Sequence, residues 1–309
     1  MKKTIIIVLV CLLALGLSAC SFSIGALYPD GEKYTAGDAV ITDKVETLLI
    51  DWSSGSVTIE PGDGDAIELC ETGNKPVKAD EQMQYYLEGT TLHVRFCAPG
   101  KVNIGVMTEK NLHVTLPKDL TLKELDVSTA SAALNVTDLR AERMKLGTAS
   151  GEVSGSVAYA GELRIGTASG EVKLATPGEV GTIDADTASG DIELTASGEV
   201  GAIKGNSASG NIRITAESVR ELDIDSASGK LDVTLAKTPR ECELDSASGA
   251  VTLTLPADAE FTAEVDTASG DFDCEFPTVL HGDTYICGGG GADLSFDTAS
   301  GDISIRKGK

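Results

Sequence analysis

From about residue 45 onward, apolar and polar residues alternate with a period of two, in short runs broken by small residues. Leu48, Ile50 and Trp52 alternate, Ser53-Ser54-Gly55 intervenes, and Val57 and Ile59 resume before Pro61-Gly62-Asp63-Gly64. Leu92-His93-Val94-Arg95-Phe96 and Leu112-His113-Val114-Thr115-Leu116-Pro117 are two further runs of this kind. Such alternation, rich in β-branched residues, predicts half-buried strands and argues against an amphipathic helical repeat.

The breaks then become one phrase, [ST]-A-S-G, at 148–151, 167–170, 187–190, 207–210, 226–229, 246–249, 267–270 and 298–301. A degenerate copy, Thr129-Ala130-Ser131-Ala132, comes first. The fourth position recurs after 19, 19, 20, 20, 19, 20, 21 and 31 residues. A period near 20 predicts an all-β fold, a parallel β-helix or β-solenoid with coils of about 19–21 residues. In Leu222-Asp223-Ile224-Asp225-Ser226-Ala227-Ser228-Gly229-Lys230-Leu231-Asp232-Val233, the inward parity shifts by one across the small residues. The phrase is therefore a bend. Its glycine is expected to reach φ > 0, its hydroxyls to cap free backbone groups, and its alanine to lie beneath the next copy. Val180, Val200, Val219 and Phe261 supply one apolar point in a looser return segment. Nine copies stacked at about 4.8 Å predict a regular core on the order of 43 Å long.

Two regions fit this array less simply. Gly55 precedes Ala132 by 77 residues, close to four periods, so residues 45–125 are either degenerate coils or a hairpin cap. Within the 31-residue step, residues 276–291 are an insertion expected to leave the stack as a loop or hairpin and to offer functional surface. Arg306, Lys307 and Lys309 are expected to blunt the last exposed strand edge.

The N-terminus reads as an export signal over residues 1–19. Lys2 and Lys3 precede an apolar run, Ile5 to Leu17, that is too short to span a bilayer. Leu17-Ser18-Ala19-Cys20 resembles the lipobox of bacterial lipoproteins, which implies cleavage before Cys20 and a lipid on its sulfur. Residues 20–44 then read as lipidated Cys20 and a tether. Without the signal lysines the chain has 23 basic and 48 acidic residues, a net charge of −25. That disfavours nucleic acid as a partner and electrostatic adhesion to anionic lipid, leaving the N-terminal lipid as the membrane contact.

Five cysteines remain after Cys11 and Cys20 are set aside. Cys70 and Cys97 lie opposite in parity to their apolar neighbours, so both face outward, and a Cys70–Cys97 disulfide is possible if their strands are adjacent. Cys242 shares parity with Leu244, and Cys274 with Phe272; both read as small buried hydrophobes. Cys287 lies in the insertion.

The stretch Ile50-Asp51-Trp52-Ser53-Ser54-Gly55-Ser56-Val57-Thr58-Ile59, the Leu112–Pro117 run and the [ST]-A-S-G array together resemble the bacterial putative-adhesin family of β-solenoids. The resemblance covers roughly residues 44 to 309. It implies an adhesin-like or envelope-associated role, with some relatives linked to envelope stress, and it supplies no catalytic residues.

The best candidate site is a column beside the bend: Asp186, Asn206, Asp225, Asp245, Asp266 and Asp297. Carboxylates about 5 Å apart repel by roughly 0.8 kcal/mol in water. Ca²⁺ between rungs, at Asp225, Asp245 and Asp266, would relieve this. The simpler expectation is that each Asp caps the following bend. His93 and His113 read as surface positions, and His281 has no companion ligand at metal spacing. No nucleophile elbow or phosphate loop is present. The sequence thus points to a non-enzymatic surface protein at the cell membrane, lipid-anchored and without a cofactor. It would bind or scaffold an envelope glycan or protein. Two alternatives are an envelope-stress sensor binding cationic peptides through its acidic face, and a carbohydrate-active β-helix enzyme.

Overall fold

The computed structural model describes residue 28, residues 30–100 and residues 109–308. After a 3₁₀ turn at Gly31–Lys33, the N-terminal strands are β1 (Thr35–Ala36), β2 (Ala39–Ile41), β3 (Thr47–Trp52), β4 (Gly55–Gly62), β5 (Ile67–Gly73), β6 (Gln84–Glu88), β7 (Thr91–Arg95) and β8 (Lys110–Pro117). The repeat follows as β9 (Leu122–Thr129), β10 (Ala133–Thr148), β11 (Val153–Thr167), β12 (Val172–Thr176), β13 (Val180–Thr187), β14 (Ile192–Ser207), β15 (Ile212–Ser226), β16 (Leu231–Leu235), β17 (Glu241–Ser246) and β18 (Val251–Leu255). The C-terminal strands are β19 (Phe261–Thr267), β20 (Phe272–Cys274), β21 (Thr278–His281), β22 (Thr284–Cys287), β23 (Ala292–Thr298) and β24 (Ile303–Lys307).

The fold is a β-solenoid. Each coil runs up one face, turns at the [ST]-A-S-G bend, and runs along a second face, with parallel pairing from coil to coil. The parity shift is as the alternation predicts: Leu222, Ile224 and Ser226 are buried before the bend, and Gly229, Leu231 and Val233 after it. Leucine, isoleucine and valine from the two faces meet in one continuous core. The return segment is less loose than expected, because β10, β11, β14 and β15 continue through it as single strands.

The bend glycines are needed for a different reason from the one the sequence offers. None of the eight adopts a positive φ. Instead, a Cβ on Gly170 would overlap the Gly151 carbonyl oxygen, and one on Gly229 would overlap that of Gly210. Successive coils simply approach too closely for a side chain. The hydroxyls do cap the bend: Thr167 Oγ1 accepts from Gly170 N at 2.7 Å, and Ser226 Oγ accepts from Gly229 N at 2.8 Å. The second serine reaches between coils, as Ser228 Oγ donates to the Ala208 carbonyl at 3.1 Å.

Both ends of the stack depart from chain order. At the N-terminal end the chain enters at β3 and β4, one coil in from the edge. It then makes β5 and β6 and lays down β7 and β8 as the outermost coil, parallel to β3 and β4. β9 and the start of β10 re-enter on the inner side of β3 and β4. β5 and β6 run antiparallel on the outer edges of β8 and β7, and β2 and β1 follow outside them. The region 45–125 is therefore both coil and cap. The boundary expected at 125/126 falls inside β9, and the stretch expected to be tether up to residue 44 holds β1 and β2.

The C-terminal end does the same. β23 lies between β17 and β19, and β24 lies between β18 and β20, so the last coil in sequence is the second-last in space. The insertion forms the hairpin β21–β22, which extends the first-face sheet by pairing β22 antiparallel to β19. Gly288–Gly291 carries the chain from the outer side of β19 back to its inner side, over Glu260. Gly288, Gly290 and Gly291 do have positive φ. Arg306 and Lys307 therefore lie on an internal strand, not on the last exposed edge. Eleven coils stack, giving a core on the order of 50 Å long.

This account of the bend makes a paired prediction. Gly229→Ala, which places a methyl into the Gly210 carbonyl, should be destabilising by about 1–3 kcal/mol, the range for overpacking. Gly166→Ala, where an added Cβ meets nothing within 4 Å, should be neutral or stabilising by up to about 1 kcal/mol. Denaturant melts of the two variants check this, and equal tolerance would contradict it.

Candidate functional site

The outward side chains of the first face form columns, because strand register is kept from coil to coil. One column reads Asp126, Lys145, Arg164, Asp184, Lys204, Asp223, Glu243, Ser295 and Glu264. Its first half mixes signs, with Lys145 3.4 Å from Asp126 and Lys204 3.4 Å from Asp223. Beyond Lys204 it contains no base. The neighbouring column reads Asp186, Asn206, Asp225, Asp245, Asp297 and Asp266. The two columns make an acidic plane over the C-terminal coils.

The plane's central carboxyls hold protons unusually tightly. Asp225 is raised to about 6, first by burial and then by Asp223 and Glu243. Asp245 is raised to about 7, again first by burial, then by Glu243, Asp225 and Asp297. The Asp297 backbone N–H, which donates to Asp245 Oδ1 at 3.1 Å, works against that rise. Glu243 and Asp184 are raised in the same sense, by burial first.

The calcium column Asp225–Asp245–Asp266 is not contiguous. Asp297 sits between Asp245 and Asp266 because β23 is intercalated. Among the described residues, no group of three or more His, Cys, Asp or Glu side chains could hold a metal ion. The bend is capped by its Ser and Thr hydroxyls, while Asp186 accepts from Asn206 Nδ2 at 2.8 Å and Asp245 from the Asp297 backbone N–H.

The Cys70–Cys97 bridge, possible only between adjacent strands, is not formed. Cys70, a free thiol on β5, has β2 and β8 as its neighbours, whereas Cys97 follows β7, which pairs with β3 and β6. Adjacency, the condition for the bridge, is not met. Cys242 is buried as expected, and burial pushes its thiol up to about 12. Cys274 is only half-buried, since β20 belongs to the outermost coil. Cys287, the last residue of β22, is buried where the hairpin meets β19, its Sγ 3.5 Å from the Ala259 carbonyl. Cys20 lies outside the described residues.

His113 is exposed as expected. His93 is not, because two tyrosines cover it: Tyr86 stacks on its ring at 6.1 Å and Tyr34 meets it edge-on at 6.4 Å. His281 is exposed on β21.

One buried centre went unread in the sequence. Lys110 occupies the bend position opposite Gly55 and is almost fully buried. Its Nζ donates to the Glu71 carboxylate at 2.9 Å, to the Glu81 carbonyl at 2.6 Å and to the Phe96 carbonyl. It also lies 4.1 Å from the Phe96 ring centroid and 5.1 Å from that of Trp52. Burial lowers its pKa, and Glu71 opposes that shift. Its three acceptors come from three separate segments of the cap, so the ammonium links them. The available signal was parity, since Lys110 shares the inward parity of Leu112 and Val114.

At the far end, the hairpin β21–β22 leaves Val279 and Leu280 exposed. Among the described residues, no helix is long and apolar enough to cross a membrane.

The raised carboxyls set a pH dependence. Their folded pKa values lie above the unfolded carboxylate range, so the folded chain binds more protons and gains stability as pH falls. The melting temperature should therefore rise from pH 8 to pH 5, with most of the change between about 7 and 5. Asp225→Asn with Asp245→Asn should flatten that slope and raise the pH 8 value. A melting temperature that falls over this interval would contradict the assignment.

The chain matches the family model Toastrack DUF4097 over residues 45–306. It is similar to the solved structure of a putative adhesin from Parabacteroides merdae ATCC 43184, with 11% identity and a TM-score of 0.46, covering 90% of this chain and 97% of that one. A putative adhesin from Parabacteroides distasonis ATCC 8503 shares 10% identity at a TM-score of 0.46, with 88% and 97% covered. A putative lipid binding protein from the same organism shares 14% identity at 0.42, with 90% and 97% covered. A search of curated proteins finds no sequence match. The family model spans the entry coils, the regular array and the intercalated last coil alike, and the chain belongs to the Toastrack DUF4097 family.

Proposed function

We propose that this chain is a non-enzymatic surface protein, anchored through lipid on Cys20, that binds or scaffolds at the cell envelope. The observation that carries the proposal is the polarity of the stack. The described fold begins at Tyr28, whose hydroxyl donates to the Cys97 carbonyl at 2.9 Å in the N-terminal cap. Seven residues, 21–27, separate it from Cys20, a span of about 25 Å at most when extended. Anchored this way, the cap lies near the membrane and the β21–β22 hairpin stands at the far end of a stiff stack. The rigidity comes from coil-to-coil hydrogen bonds, so the stack acts as a spacer that presents its tip.

A second reading, an envelope-stress sensor of cationic peptides, draws on the acidic plane. Residues 221–309 carry 18 acidic and 6 basic side chains, a field that attracts cations at low salt. The carbohydrate-active enzyme is the remaining reading, and the sugar-release assay below tests it.

Expression of the full chain and its Cys20→Ala variant in a bacterial host, followed by membrane fractionation, tests the anchor. The wild type should sediment with membranes and the variant should be released; equal retention would overturn the lipid anchor. The released form should bind isolated envelopes above an inert acidic control protein without liberating sugars from a polysaccharide panel. Absence of envelope binding, or sugar release, would overturn the binding role.

A further inference from the structure

Edge strands of a sheet are templates for pairing, and proteins usually keep them short, charged or broken by proline. Most edges of this solenoid obey that rule. β1 has two residues and β2 three, while β20 has three and turns Asp273 outward. β21 does not obey it. Its four residues, Thr278-Val279-Leu280-His281, pair with β22 along one side, and among the described residues nothing pairs with the other. Val279 is 71% and Leu280 58% exposed, two of the three large hydrophobic side chains so exposed among the described residues. The third, Val40, is on β2 at the opposite end of the stack.

We propose that β21 is a docking edge for an extended basic segment of another polypeptide, which adds to the sheet as one further strand. Strand addition takes its affinity from main-chain hydrogen bonds and its selectivity from alternate side chains. Val279 and Leu280 point to opposite faces of the hairpin, so an incoming strand meets an apolar side chain on either face. Charge decides the class of partner. Asp283 lies in the hairpin turn and Glu275 precedes β21, while Glu264 on β19 pairs with Thr284 of β22 and Glu260 lies beneath the glycine crossing. Residues 271–283, which include this edge, carry four Asp or Glu and no Lys or Arg, and the base beside them is Lys307, 5.1 Å from the Phe276 ring. A second copy would bring the same charge to the same place, whereas lysine or arginine alternating with apolar residues complements it. The inference rests on the envelope-binding reading above and names the part of the molecule that makes the contact.

The test uses the full-length chain in non-ionic detergent and a fluorescent eight-residue peptide of alternating lysine and valine, read by anisotropy. The peptide should bind. N-methylation of alternate residues on one edge should weaken it by about tenfold or more, because the backbone donors are lost at unchanged charge. Leu280→Thr should weaken it measurably and Leu280→Lys should abolish it, with unchanged melting in both variants since the side chain is exposed. A glutamate–valine peptide should not bind. Equal binding of the N-methylated peptide, full binding by Leu280→Lys, or no binding of the parent peptide would overturn the proposal. So would dimers of the chain that Leu280→Lys dissociates, since a second copy would then occupy the edge. If the peptide does not bind while envelope binding persists, the docking edge alone is lost. If the peptide binds and envelopes do not, the envelope-binding reading fails instead.

Discussion

Each coil of this protein touches the next through bare backbone at the bend, and the rest of the architecture follows from that contact. A Cβ at Gly170, Gly190, Gly229 or Gly249 would overlap the carbonyl oxygen of the glycine one coil earlier. With hydrogen at that position, the backbone N–H of Ala227 reaches the Ser207 carbonyl at 3.0 Å, and that of Ala247 reaches the Ser226 carbonyl at 3.0 Å. The bend therefore continues the strand ladder around the corner instead of interrupting it. Register is fixed twice per coil, and outward residues fall into columns whose charge the core does not dictate.

A stack built this way has two raw ends. Both are closed by one device: the coil nearest each chain terminus is set one place in, and a coil from deeper in the sequence is laid outside it. β3 and β4 are held between β7–β8 and the re-entering β9–β10, and β23 and β24 between β17–β18 and β19–β20. Antiparallel strands then cover the outer edges of β7, β8 and β19, while the three-residue β20 remains an edge. At the N-terminal end, Lys110 ties this closure together by bonding to Glu71, Glu81 and Phe96 from three separate segments. At the C-terminal end, the crossing is made by Gly288–Gly291, where glycine is used for its positive φ.

The alternation and the period near 20 are local and repeated, so the sequence carries the solenoid, its coil length and the parity shift at each bend openly. It does not carry the order of coils. Ser246, Thr267 and Thr298 all begin the same phrase, and nothing in their neighbours says that Thr298 pairs with both of the others. The same blindness hid the break in the aspartate column, the separation of Cys70 from Cys97 and the covering of His93. Each depends on which distant segment lies alongside. The bend glycines misled in another way, because close approach and positive φ call for the same residue. Cys242 and Cys287 are both buried, one from a parity the sequence displays and one within a hairpin it could only call an insertion.

Intercalation is the claim that separates this architecture from an ordinary solenoid, whose last strand in sequence is also its outermost. Native-state hydrogen exchange reads the difference directly, since an edge coil opens at lower free energy than one held on both sides. The amides of β24, only a few residues from the C-terminus, should exchange more slowly than those of β20, which lies some thirty residues earlier in the chain. Faster exchange in β24 than in β20 would mean that the coils stack in chain order, and the closure of both ends described above would be wrong.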